Sequence, residues 1–183
     1  MMEEHNAASP PLPVVAPAFS NAQALPNLVA LSVLSFGIYP TYWLYRNLKL
    51  IKEHKRLAIS PAGRTFVAFI PLIGLLFFKD QLQFFAETTS AAGVAESYSP
   101  WGRTLGFMAI SALAELPNPW WVLATAAVVF LLPVQKALNA YWAIEQPGLP
   151  IRRGLTGGET ALLIVCGVLW ALIVAASLIN VEP

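Results

Sequence analysis

Apolar residues in this chain come in long runs, not in the short alternations of a sheet protein. No Asp, Glu, Lys or Arg lies between Glu4 and Arg46, Arg64 and Lys79, Glu115 and Lys136, or Glu159 and Glu182. A bilayer-crossing helix needs about 20 apolar residues, and the last two gaps are of that order. The pattern predicts an all-α fold with spans over about 28–45, 62–84, 119–142 and 160–180. Gly37 and Pro40 fall inside the first span, and Pro40 removes one backbone donor, so a kink is expected there. Neither Gly nor Pro occurs from Thr41 to Ser60. The helix is therefore expected to run on as a basic extension over 46–57, with Leu48 and Ile51 forming an apolar strip. Ser60-Pro61 and Ser99-Pro100 read as helix starts, Ser as N-cap and Pro at the first helical position. The second start opens a short helix, 101–116, ended by Pro117-Asn118-Pro119. At about 1.5 Å per residue it reaches about 24 Å, short of the roughly 30 Å hydrocarbon core.

Composition strengthens this picture. Of the 183 residues, 57% are hydrophobic and 11% charged; soluble domains carry roughly 25% charged residues. The chain is expected to be a polytopic membrane protein with four transmembrane helices and one short re-entrant or interfacial helix. Residues 1–26, with five prolines among Ala, Ser and Asn, suit a disordered tail. That tail begins with acids and lacks an unbroken apolar core, unlike a secretory signal. Residues 27–180 form one transmembrane domain. A net charge of +1 argues against nucleic acid. The lone Cys166 supplies neither a disulfide framework nor a Cys-rich metal site.

Charge then sets orientation, because basic residues are retained on the cytoplasmic side. With four spans, Arg46, Lys49, Lys52, Lys55, Arg56, Arg64, Lys136, Arg152 and Arg153 face inward, leaving Lys79 and Arg103 outside. A fifth crossing by 101–116 would destroy that bias. Both termini are thus expected in the periplasm, with 46–64 and 144–157 in the cytoplasm. Tyr39, Tyr42, Trp43 and Tyr45 read as an interfacial aromatic belt. Tyr141-Trp142 repeats the pattern in the second half.

Phe36-Gly37-Ile38-Tyr39-Pro40-Thr41-Tyr42-Trp43-Leu44-Tyr45-Arg46-Asn47 resembles the F-G-I-Y-x-x-Y-W-x-Y-[KR]-N motif of a family of uncharacterised small bacterial inner-membrane proteins, a domain of unknown function. Ile59-Ser60-Pro61 with Arg64, Leu132-Pro133-Val134-Gln135 with Asn139, and Gly167 with Trp170 resemble its later landmarks. The resemblance implies a bacterial inner membrane and no catalytic residue. This chain departs from the family in its longer tail and in Pro40.

Candidate chemistry is sparse. His5 and His54 lack metal-ligand spacing, and no hydrolase, metalloprotease or P-loop motif is present. No cofactor, metal or catalytic residue is therefore expected. Gly157-Gly158-Glu159-Thr160 reads as a helix start with Glu159 at the positive end of the dipole. Glu115, Asn118 and Asn139 form a possible intramembrane polar site, since acids within apolar stretches often mark ion paths; solvation of Glu115 at an interface is the competing reading. Arg46, Lys49, Lys52, Lys55 and Arg56 suit an anionic-lipid interface, or topology alone. Gly167, Ala171 and Ala175, four apart, form a small-residue face for helix packing within or between chains. The expected partners are the bilayer, anionic lipid, and a second copy or another membrane protein. The expected function is a non-enzymatic scaffold, assembly or envelope-maintenance role; the alternative is a small oligomeric transporter or channel.

Overall fold

A computed structural model describes residues 19–70, 73–117 and 120–179. Their regular structure is helical, and among them no strand forms; one isolated parallel bridge pairs Gln23 with Arg152. The α-helices are α1 (Leu25–Leu34), α2 (Tyr39–Lys55), α3 (Pro61–Ala68), α4 (Gly74–Ala91), α5 (Pro100–Ser111), α6 (Leu132–Glu145) and α7 (Gly157–Ile179). Two 3-10 segments, Ala112–Glu115 and Trp120–Leu131, join α5 to α6.

The first expected span is divided in two. Leu34 ends α1, and the N–H groups of Ser35 and Gly37 close back on Leu31 and Ser32. Phe36 and Gly37 take φ of 54° and 79°, the left-handed turn that satisfies a helix C-terminus. For Phe36 this conformation is costly, and its ring is held by stacking on Trp170 at 4.4 Å. Ser35 Oγ then accepts the N–H of Tyr39 and restarts the chain as α2. Pro40 therefore kinks nothing. It occupies the first turn of α2, where its missing donor is harmless.

The second expected span is also divided. α3 begins as the sequence predicts, with Ser60 Oγ accepting from Gly63 N ahead of Pro61. It ends at Ala68, and α4 folds back along it. Arg64 reaches Gln81. A Cβ on Gly74 would lie 2.7 Å from the Ala68 carbonyl oxygen, so only glycine permits this approach. α5 opens with an equivalent cap, Ser99 Oγ to Gly102 N. It packs against Trp120–Leu131 so closely that a Cβ on Gly106 would meet the Phe130 ring at 2.1 Å.

Trp120–Glu145 is one 26-residue rod whose most apolar 18-residue stretch has a mean hydropathy of 1.7. Among the described residues it is the one helix long and apolar enough to cross a membrane, so four unbroken transmembrane helices find no support. Its first half is 3-10 and its second α; the change falls next to Pro133, which cannot donate.

The core is aromatic. Tyr39, Trp43, Tyr141 and Trp142 are fully buried with Leu44, Leu48, Ile51, Phe78 and Phe85. Tyr39 and Trp43 thus belong to the interior and not to an interfacial belt, because they sit one turn apart on the face of α2 turned towards α6. The apolar strip of Leu48 and Ile51 anchors the basic extension to the same core.

Candidate functional site

Polar groups buried in a largely apolar protein must find partners, and here they converge. Tyr39, Trp43 and Asn47 are spaced by four on α2; Gln135 and Asn139 are spaced by four on α6. Such pairs share one helix face. The two faces meet, and an extended segment, residues 19–24, lies against them. Asn21, Gln23, Asn47, Gln135 and Glu159 are all fully buried. The expected disordered tail therefore covers less than 1–26: its first eighteen residues fall outside the described part, whereas Asn21, Ala22 and Gln23 are packed.

Gln135 is the hub. Its Oε1 accepts from Trp43 Nε1 at 2.5 Å and from Gln23 Nε2 at 3.4 Å. Its Nε2 donates to Asn139 Oδ1 at 2.6 Å and to the Asn21 carbonyl at 3.4 Å. Asn47 Oδ1 accepts from Asn21 Nδ2, while Arg46 Nε donates to Asn21 Oδ1 at 2.7 Å.

A second pole is the ion pair at the start of α7. Arg152 Nη1 lies 2.6 Å from Glu159 Oε2, and Nη2 lies 2.8 Å from Oε1, a bidentate arrangement. Thr156 and Glu159 form a reciprocal capping box, Thr156 N to Glu159 Oε2 and Glu159 N to Thr156 Oγ1. The Tyr39 hydroxyl bridges Glu159 Oε1 at 2.7 Å and Gln23 Oε1 at 2.9 Å. Burial alone would raise the Glu159 carboxyl, but the Arg152 guanidinium and the Thr156 N–H outweigh it and hold the group below the ordinary carboxylate value. With a donor on each oxygen, Glu159 is a fixed anion and not a proton acceptor. The chemistry on offer is recognition of amides and main chain.

At the far end of α2, Glu145 receives Lys55 at 2.6 Å and His54 at 2.8 Å. These hydrogen bonds hold its carboxyl below the usual range.

The residues singled out from sequence divide sharply. Asn139 enters the cluster; Glu115 is exposed on the 112–115 turn and shares none of the cluster's bonds, and Asn118 lies outside the described residues. Among the described residues, Glu115 and Asn139 are thus not joined in one polar cluster. Of the basic five, Arg46 is drawn into the cluster and Lys55 pairs with Glu145, leaving Lys49, Lys52 and Arg56 at the surface. Gly167, Ala171 and Ala175 are exposed, and nothing approaches a Cβ built on Gly167. Within one chain α7 packs through the opposite face, by Cys166 and Trp170, whose Nε1 donates to the Leu34 carbonyl. The Trp170 indole thereby caps the broken end of α1.

Sequence reasoning did not single out Asn21, Gln23 or Arg152 as site residues. The Thr156-x-x-Glu159 capping box was the available signal at that end. The extended segment carried none.

A cavity of about 610 Å³ lies beside the cluster, on another face of α2. It is bounded by the Phe36–Thr41 turn, the end of α3, and Ala124, Thr125 and Val128 of the 3-10 segment. Among the described residues, none that lines it is charged.

No family model, curated protein or solved structure matches this chain.

Proposed function

We propose that the chain is a non-enzymatic, multi-pass protein of a bacterial inner membrane with a scaffold, assembly or envelope-maintenance role. The observation carrying this reading is the surface of α7. Ile164, Val165, Val168, Leu169, Leu172 and Ile173 are all exposed, several by 60% or more. An unpaired apolar patch of that extent suits lipid or another membrane helix. In this reading residues 120–142 and 160–179 cross the bilayer, with Glu145 and Glu159 beyond their ends. The helix–turn–helix units 25–55 and 61–91 take the place of the other two of four spans. Lys49, Lys52 and Arg56 face anionic headgroups, and the Gly167, Ala171 and Ala175 face meets a second copy or a partner helix. The family resemblance of the Phe36–Asn47 motif agrees with a bacterial inner membrane. Residues 144–157 face the cytoplasm, where Gln146 accepts the N–H of Phe19, and the C-terminal end of α7 faces the periplasm.

The alternative, a small oligomeric transporter or channel, is favoured by one observation. The cavity is walled by interrupted helices, the device by which transporters build sites within a membrane.

Alkaline washing of membranes and impermeant maleimide labelling of a Gly154→Cys, Cys166→Ala chain in intact cells test the reading. Retention in the pellet with labelling only after lysis is expected. Release by alkali, or labelling from outside, overturns it.

A further inference from the structure

Residues 19–24 are held as a bound peptide is held, chiefly through their main chain. Asn139 grips Gln23 at both backbone groups, accepting its N–H at 3.0 Å and donating to its carbonyl at 2.9 Å. Arg152 flanks it in parallel: its N–H donates to the Ala22 carbonyl, and its carbonyl accepts the Ala24 N–H. Gln135 Nε2 meets the Asn21 carbonyl and Gln146 Oε1 the Phe19 N–H. Every one of these partners lies more than 100 positions away in the chain, on α6 or the loop after it. Main-chain pairing of an extended segment, with pockets for alternate side chains, is a recurrent mode of peptide recognition. Pockets for alternate side chains are present as well. Asn21 and Gln23, two apart, reach the Asn47–Arg46 and Gln135–Tyr39–Arg152 groups, and Ala22 between them leaves room for the approach of Arg152.

We propose that Asn47, Gln135, Asn139, Gln146 and Arg152 form a binding site for an extended segment with carboxamides at alternate positions, that residues 19–24 are its tethered ligand, and that the same segment of a second copy replaces them in trans. The site matches this chain's own strap in each side chain, so a second copy is the occupant that the chemistry specifies. Exchange of identical elements is a low-cost route to a dimer. This goes beyond the scaffold reading and does not depend on it, because the seat is formed by one chain and is assayed in detergent.

The test uses full chains. One variant, Asn139→Leu, has an impaired seat and an intact strap carrying a photo-crosslinker in place of Phe19. The other, Asn21→Ala with Gln23→Ala, has a weakened strap and an intact seat. Mixed, they are expected to give about tenfold more crosslinked pairs than either gives alone, the scale of one or two lost hydrogen bonds. A second arm needs no variant of the seat. A crosslinking peptide with the sequence of residues 19–26 is offered to the unmodified chain beside one with leucine at the Asn21 and Gln23 positions. Preferential labelling of α6 by the native peptide is expected. Equal labelling by the two peptides overturns the site. A mixture that captures no more than its separate components overturns exchange between copies.

Discussion

Two faces of α2 meet two different interiors. Tyr39, Trp43 and Asn47 enter a wall of paired amides and ions, each through a specific side-chain hydrogen bond. Pro40 and Thr41, one and two positions along from Tyr39, border a cavity of about 610 Å³ walled mostly by alkyl and aromatic groups. The comparison teaches that the motif 36–47 encodes two structures at once. Its Phe36-Gly37 start breaks the helix and shapes the cavity, while its i, i+4 aromatic and amide positions assemble the cluster. A polar wall is defined by geometry and fails when one member is lost. An apolar wall with spare volume tolerates change.

The comparison is broken most severely at Glu159. Glu159→Leu strands Arg152, Tyr39 and the Thr156 N–H and is expected to cost about 3–5 kcal/mol. Thermal unfolding in detergent reads this as a large fall in Tm. A Tm near that of the parent would make the polar wall as tolerant as the apolar one.

A smaller effect is expected where α2 leaves the core and its charges meet water. The Glu145 carboxyl is held below its ordinary value in the folded chain. Its contribution is therefore present above the unfolded-state value and is lost as pH falls through the lower folded one. Stability measured from about pH 5 to pH 3 should fall less steeply in Glu145→Gln than in the parent. Equal slopes would remove Glu145 from the acid response.

The smallest change is expected in the cavity. Ala124→Val adds methyl groups to a wall that borders free space, and the Tm should reflect a change within about 0.5 kcal/mol. A loss of several degrees would mean that this wall, too, is tightly packed.

Legibility from sequence followed the same division. Helical class and the Ser-Pro starts of α3 and α5 were readable, because caps and periodicity are local signals. The breaks at Phe36-Gly37 and after Ala68 were not. Apolar runs continue through both, and only the long-range stack of Phe36 on Trp170 and the Gly74–Ala68 approach explain why the chain turns there. Within the cluster, Asn139 drew attention as a polar residue in an apolar stretch and Glu159 as the acid of a helix start. Gln23 and Arg152 did not, since one lies in a segment of tail-like composition and the other in a loop, and they meet across 129 positions.

The central claim is that segment 19–24, α2, α6 and the start of α7 are joined by one cooperative polar cluster. A double-mutant cycle across the Tyr39–Glu159 bond tests it most directly, because Tyr39→Phe deletes one oxygen and leaves the aromatic packing intact. Unfolding free energies of the parent, Tyr39→Phe, Glu159→Leu and the double variant should give a coupling of at least about 1 kcal/mol, with Tyr39→Phe costing less once Glu159 is gone. Equal costs of Tyr39→Phe in both backgrounds would show that the two residues act independently and would contradict the cluster.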